Sequence, residues 1–294
     1  MPLVAIATCR EFPELDAEDQ LLIPALAELG IDSVAAVWTD DSVDWSCFAL
    51  VVIRETWDYA DHREEFLDWA RRVSEVSLLA NRAELVEWNT DKRYLAELAD
   101  AGIPVVSTRF LAPGDDPAGW RPEQVSAEVV VKPAVSCGSR DTLRHSAEDD
   151  VDAIVAHVER LLDDGRDVMV QPYLDSVDTA GETALIFLDG VYSHSIRKGP
   201  MLARGLEGEK VNGLFVQEQI DPREPSVDEM QVAERVMAAI PSPPPLYARV
   251  DLIPDADGAP TLLELELTEP SLFLSFNGLA PARLAAAIAA RIPA

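Results

Sequence analysis

Tyr247-Ala-Arg249-Val-Asp251-Leu252 and Leu263-Glu264-Leu265-Glu266-Leu267 are the two runs on which the fold of this chain turns. Successive side chains of a strand point to opposite faces, so Tyr247, Arg249 and Asp251 share one face while Ala248, Val250 and Leu252 share the other. The same alternation sets Glu264 and Glu266 together. A turn-forming Asp255 to Pro260 joins the runs, so pairing them brings three carboxylates side by side. In a partly buried site, like charges at that range require raised pKa values or a divalent cation; hard, oxygen-seeking Mg²⁺ suits them and leaves room for phosphate. Two edge strands whose charged faces meet water have the same spacing.

Outward from this pair, Thr183 to Leu188 and Val191 to Arg197 read as strands joined by Asp189-Gly190, a favoured two-residue hairpin turn. Ser226 to Ala239 reads as a helix capped by Ser226 and ended by Pro241, and Ala280 to Ile292 as a closing Ala-rich helix. Met201 to Gln217 is polar and Gly-containing, which predicts a mobile loop. Nearer the N-terminus, strands Leu3–Thr8, Ser33–Val37, Phe48–Ile53 and Ser77–Ala80 alternate with helices Asp16–Leu29 and Arg63–Ser74, the pattern of an open parallel α/β unit. The pattern changes over Asn81 to Trp88. Helix Thr90–Ala101, with Asn89 or Thr90 as its cap and Gly102 as its stop, opens the next part. A loop at Pro113 to Pro122, strand Val129–Lys132, helix Glu148–Leu162 and strand Asp167–Gln171 follow. The chain thus divides into an N-terminal α/β domain, residues 1–85, and an α+β remainder, residues 86–294, with a smaller lobe at about 105–175.

Length and charge bound the function. The chain has 294 residues, enough for two or three lobes with substantial cores. A formal net charge of −29 argues against binding a phosphate backbone, which depends on Lys and Arg displacing counterions. No apolar run approaches a bilayer span, and the start lacks the basic and small-residue marks of a signal peptide, so a cytoplasmic protein is expected. Cys9, Cys47 and Cys137 indicate neither a disulfide framework nor a CxxC metal site.

Three lysines sit where an anionic ligand could use them: Lys92, Lys132 at the end of an apolar strand, and Lys198 after another. The small-residue loop Ala134 to Ser139, with Ser136 and Gly138, offers backbone N–H groups to phosphates but lacks the Walker pattern. Gln171-Pro172-Tyr173-Leu174 ends a strand in a form suited to edge-on bonding to a purine. Arg54 follows a buried strand at its carboxyl edge, where open α/β sheets place ligand residues. It is read either as a clamp on a substrate carboxylate or phosphate, with Trp57 and Tyr59 as walls, or as a surface arginine paired with Glu55 or Asp58.

In this order, Lys92, Lys132-Pro133, the small-residue loop, Gln171-Pro-Tyr-Leu174, Gly181-Glu182, Lys198, Arg249-Val-Asp251 and Glu264-Leu-Glu266 resemble the ATP-grasp superfamily over roughly residues 85 to 294. The resemblance implies an open α/β lobe followed by a two-lobed grasp holding ATP. It casts Lys92 and Lys132 on the phosphates, Gln171 to Leu174 on adenine, Glu182 or Asp178 on the ribose, Asp251, Glu264 and Glu266 on Mg²⁺ (or Mn²⁺), and Arg249 with Lys198 at the reacting centre. Glu266 stands where the commonest motif has Asn, and Thr268-Glu269-Pro270 follows with an offset. With Arg54-Glu-Thr-Trp-Asp-Tyr59 and Tyr192 to Lys198, that form is similar to the subgroup containing the cyclo-ligase of D-cycloserine biosynthesis.

The activity implied is that of an ADP-forming ligase that activates an amino-acid-like carboxylate as an acyl phosphate for attack by an amine or hydroxylamine nitrogen, within one molecule or between two. The partners implied are therefore a small-molecule carboxylate and amine. A small-molecule kinase and a non-catalytic ATP-binding protein are the alternatives on the same scaffold, and a homodimer is left open. Met201 to Gln217 would be the lid.

Overall fold

The structure is a computed structural model and describes residues 1–122, 127–200, 202, 210–211, 215–216, 219–241 and 244–293. The first 80 residues alternate β1 (Leu3–Thr8), α1 (Leu22–Glu28), β2 (Asp32–Val37), β3 (Leu50–Glu55), α2 (Arg63–Val76) and β4 (Leu79–Ala80). Their strands form a parallel sheet in the order β2-β1-β3-β4, with β1 and β3 almost wholly buried. Such apolar runs suit strands covered on both faces. Helix α1 is shorter than expected. The Asp16 carboxylate accepts the N–H groups of Glu18 and Asp19 at 2.9 Å, making a turn, and Asp19–Leu21 is 3₁₀, so the α-helix starts only at Leu22.

Residues 83–100 hold two helices, α3 (Ala83–Asn89) and α4 (Tyr94–Asp100), where the sequence suggested one from Thr90. The cause is local: the Asp91 carboxylate accepts the Arg93 N–H at 3.0 Å and so breaks the helix before Tyr94. Next come β5 (Arg109–Leu111), β6 (Glu128–Pro133), β7 (Leu143–Ser146), α5 (Val151–Asp163) and β8 (Val168–Pro172). Their antiparallel sheet, β5-β8-β6-β7, packs on α5 through Val129, Val131, Ile154, Val158 and Leu161.

The third sheet, β13-β10-β9-β14-β15, follows the one-turn helix α6 (Ser176–Thr179) and comprises β9 (Glu182–Leu188), β10 (Val191–Lys198), β13 (Ile220–Pro222), β14 (Tyr247–Pro254) and β15 (Pro260–Glu266). The β9–β10 turn has Asp189 and Gly190 both at positive φ, as the favoured hairpin geometry requires. A short pair, β11 (Lys210–Val211) with β12 (Phe215–Val216), lies in the stretch expected as a lid; the rest of Met201 to Gln217, apart from Leu202, is outside the described residues. Helix α7 (Val227–Ala239) begins with a capping box between Ser226 and Glu229. Helix α8 (Ala280–Arg291) returns to pack on α1, joining the two ends of the chain in one core.

The acidic strand β15 is an edge strand, and side chains take the place of its missing neighbour. Asn89 Nδ2 donates to the Leu265 carbonyl at 2.7 Å, the Leu267 N–H donates to Asn89 Oδ1 at 2.7 Å, and the Tyr94 hydroxyl bonds both the carbonyl and the N–H of Leu265. Leu262 pairs with the backbone of Pro104 and Val106. All of these backbone groups are thereby satisfied, as burial demands.

Candidate active site

Strand register builds the centre of the site. In the β14–β15 pair Asp251 lies opposite Glu264 and Arg249 opposite Glu266, the arrangement that the alternation implies. β9 on the other side of β14 contributes Glu182, and β10 contributes Lys198 opposite it. Lys198 Nζ lies 2.7 Å from Asp251 and 2.8 Å from Glu182. Arg249 bonds Asp251 through Nε at 2.9 Å and also bonds Glu266. Lys92 Nζ is 3.2 Å from Glu264 and donates to the Ser136 carbonyl at 2.7 Å, so it ties the small-residue loop to the acidic strand.

These charges set one another's protonation. Burial pushes the Asp251 carboxyl up, but Arg249 and Lys198 outweigh it and hold the group below the usual carboxylate range. Burial acts likewise on Glu264, where Lys92 and Lys132 prevail and keep it low. Glu266 differs: burial, joined by Glu264 and Asp251 and only partly opposed by Arg249, raises it to about 8. Lys132 forms no ion pair among the described residues, and burial lowers its pKa. A lysine so placed is a ready acceptor of ligand charge.

All these groups except the fully buried Asp251 line a cavity of about 350 Å³, a volume within the range of small-molecule sites. Ser136, Gly138, Gln171, Pro172, Tyr173 and Leu174 also line it, and Glu182 does so near Lys198. Gln171 is fixed by donating to the Thr108 hydroxyl at 3.0 Å. Asp178 is not on the wall: it accepts the Tyr173 hydroxyl at 2.7 Å and faces Arg144. Of the two ribose candidates, the structure puts only Glu182 at the cavity.

Trp57 and Tyr59 line the cavity, but Arg54 does not. Arg54 is 1% exposed, and is neither a clamp in the cavity nor a surface group paired with Glu55 or Asp58. Its Nε meets Asp19 at 2.9 Å and its Nη2 donates to the Pro270 carbonyl at 2.8 Å, so it fastens the N-terminal lobe to the segment after the acidic strand. The Trp57 indole does the same through the Glu269 carbonyl at 3.1 Å. Asp16, Asp19 and Glu55 form the one trio of carboxylates found with oxygens within 4.8 Å of one another among the described residues; Arg54 supplies its counter-charge.

Glu264 and Glu266 are hard oxygen groups partly open to the cavity and could hold a divalent ion. Asp251 lies opposite Glu264 in the register but is buried on Arg249 and Lys198, and the three carboxylates do not bring oxygens within 4.8 Å of one another, so the acidic trio read from the strand alternation does not converge in this arrangement. Sequence reasoning passed over Glu269, which was noticed only as part of an offset motif, although it lines the same cavity. A carboxylate three positions beyond the acidic strand was the available signal. Cys137, in the small-residue loop, lines the cavity as well.

The family description "D-cycloserine synthetase DcsG, N-terminal domain" matches residues 4–81. The cycloserine biosynthesis protein DcsG of Streptomyces lavendulae is 39% identical over 307 aligned positions, covering 99% of this chain and 99% of that protein. The chain belongs to the DcsG family. The crystal structure of D-cycloserine synthetase DcsG matches with a TM-score of 0.88 at 38% identity, over 99% of this chain and 100% of that one. An ATP-grasp RimK domain protein from Sphaerobacter thermophilus, 18% identical, matches over the full length of both chains with a TM-score of 0.67 and shares the fold. This DcsG-family chain is thus an ATP-grasp ligase of the ADP-forming kind, mixed α/β with a parallel N-terminal sheet. No helix among its described residues is long and apolar enough to cross a membrane.

Proposed function

We propose that this enzyme transfers the γ-phosphoryl group of ATP to the carboxylate of an amino-acid-like substrate, and that a nitrogen of the same substrate then displaces phosphate to close a ring. One observation carries the reading: three lysines and an arginine line the same cavity as Glu264 and Glu266 of β15, with Asp251 of β14 opposite Glu264 in the strand register. The nitrogen attacks the acyl carbon, the bond from that carbon to the phosphate oxygen breaks, and the nitrogen gives up a proton, leaving ADP and phosphate. The relative's role in cycloserine biosynthesis supports a substrate whose carboxylate is joined to its own side-chain aminooxy nitrogen.

Each residue has a role in this reading. Lys92 and Lys132 meet the phosphates, with Ser136 and Gly138 beside them, and Gln171 to Leu174 take the base. Glu182 takes the ribose. Arg249 and Lys198 offset charge as it grows on the transferred phosphoryl group and on the tetrahedral carbon. Asp251, Glu264 and Glu266 would hold Mg²⁺, which when bound neutralises phosphate oxygens. Exclusion of water from the cavity would protect the acyl phosphate from hydrolysis.

The experiment follows ADP, AMP and phosphate separately with amino acids bearing ureido or aminooxy groups. Wild type should give ADP and phosphate in equal amounts, and Glu264→Gln and Glu266→Gln should reduce ADP formation by about 100-fold or more while leaving the fold intact. AMP as product refutes the acyl phosphate. ADP without free phosphate makes the enzyme a kinase.

A further inference from the structure

Glu269 is a carboxylate that the scheme above leaves unused. It is 8% exposed, lines the cavity, and forms no ion pair among the described residues. Its hydrogen-bonding neighbours, Tyr59 and Cys137, are neutral groups. A carboxylate withdrawn from water in this way costs several kcal/mol unless a cation meets it. Three of the cavity's four cations are placed elsewhere, Lys92 on Glu264, Lys198 on Glu182 and Asp251, and Arg249 on Asp251 and Glu266, and the fourth, Lys132, forms no ion pair with Glu269.

The backbone around Glu269 is held with unusual care for an irregular segment. Trp57 donates to its carbonyl at 3.1 Å, Arg54 to the Pro270 carbonyl at 2.8 Å, and Arg249 Nη1 to the Ser271 carbonyl at 3.3 Å. Two of these donors come from the N-terminal lobe and one from the reacting centre. Glu269 therefore stands at the junction of the lobes, beside Tyr59 and Trp57 on one side and within the reach of Arg249's segment on the other.

On the reading of the site as an amino-acid ligase, we infer that Glu269 binds the α-ammonium group of the substrate. An ammonium would be drawn to this carboxylate, which none of the cavity's cations meets in an ion pair. Because the carboxylate of an α-amino acid is one carbon from its ammonium, anchoring the nitrogen on Glu269 directs the carboxylate toward Arg249 and the phosphoryl group. Burial of Glu269, which lifts its carboxyl to about 7 against the pull of Lys92, agrees with a group that a cationic ligand would complete. Arg54 then acts as a positioning residue, through Pro270.

The test compares 2-amino-3-aminooxypropanoate with 3-aminooxypropanoate, which lacks the α-amino group, by ADP formation. Wild type should prefer the amino compound by about 30-fold or more in kcat/KM, most of it in KM. Glu269→Gln should abolish most of that preference while binding Mg·ATP, measured by calorimetry, within about 2-fold of wild type. Tyr59→Phe, which misaligns the carboxylate without removing it, should lower the preference several-fold and affect the des-amino compound far less. A Glu269→Gln enzyme that keeps the wild-type preference overturns the inference, as does a wild type that uses both compounds equally while still forming ADP. A wild type that forms no ADP with either compound overturns the ligase reading, and the inference with it.

Discussion

Asn89→Ala and Tyr94→Phe, made singly and together, measure how the edge of β15 is held. In Asn89→Ala the Leu267 N–H loses its acceptor, but the Leu265 carbonyl keeps the Tyr94 hydroxyl at 2.8 Å. In Tyr94→Phe the Leu265 N–H is orphaned, but the same carbonyl keeps Asn89 Nδ2 at 2.7 Å. Each single change thus leaves one buried N–H unpaired and should cost about 1–3 kcal/mol. The double change also strips the Leu265 carbonyl of both donors, a loss neither single change causes, so it should exceed the sum by about 1–3 kcal/mol. Urea unfolding followed by tryptophan fluorescence measures all four enzymes. Coincidence of that transition with loss of far-UV circular dichroism qualifies the two-state treatment. Additivity to within about 0.5 kcal/mol refutes the account of β15 as a side-chain-paired edge.

Gly181→Ala should destabilise by about 2 kcal/mol or more, because Gly181 has φ of +72° and an added Cβ would lie 2.5 Å from the Lys198 carbonyl; ADP formation should fall with it as Lys198 shifts. Stability should fall as pH drops from about 6.5 to about 4: burial lowers His157 to about 4, so the unfolded chain binds the proton first, at a cost near 3 kcal/mol by the lower end. His145, packed 3.3 Å from it, is lowered by burial as well, and His157→Leu should flatten this limb in pH-dependent urea titrations. ATP and Mg²⁺ should each tighten the other's binding by about 10-fold or more in calorimetry, and independent affinities would contradict the charge pairing described for the site.

What the sequence showed and what it withheld divides along the range of the interactions. The β14–β15 register, the Asp189-Gly190 turn and the Ser226 cap rest on alternation or on neighbours within a few residues, and all were readable. The breaks at Asp16 and Asp91 were equally local, yet their carboxylates favour turns only when their orientation is known, and the apolar spacing favoured longer helices. Arg54 was misplaced because its partners, Asp19 and the Pro270 carbonyl, lie 35 and 216 positions away. Asn89 resembled a helix cap, and its bonds 176 and 178 positions distant have no local mark.

The site's charge pattern explains why a protein of net charge −29 can receive an anionic nucleotide. Three of the four cavity cations are paired with carboxylates that the proposed function assigns to the metal. Nucleotide alone would have to pull Lys92, Lys198 and Arg249 from those partners and leave Asp251, Glu264 and Glu266 without counter-charge. A metal alone would have to displace the same cations and leave them crowded, with Lys132 already unpaired beside them. Arriving together, phosphates would take the cations and the metal the carboxylates, so each broken pair would be replaced by two new ones. The exchange conserves charge balance in a buried space where imbalance costs several kcal/mol. On the proposed function, a preference for the magnesium complex of the nucleotide would follow from these pairings.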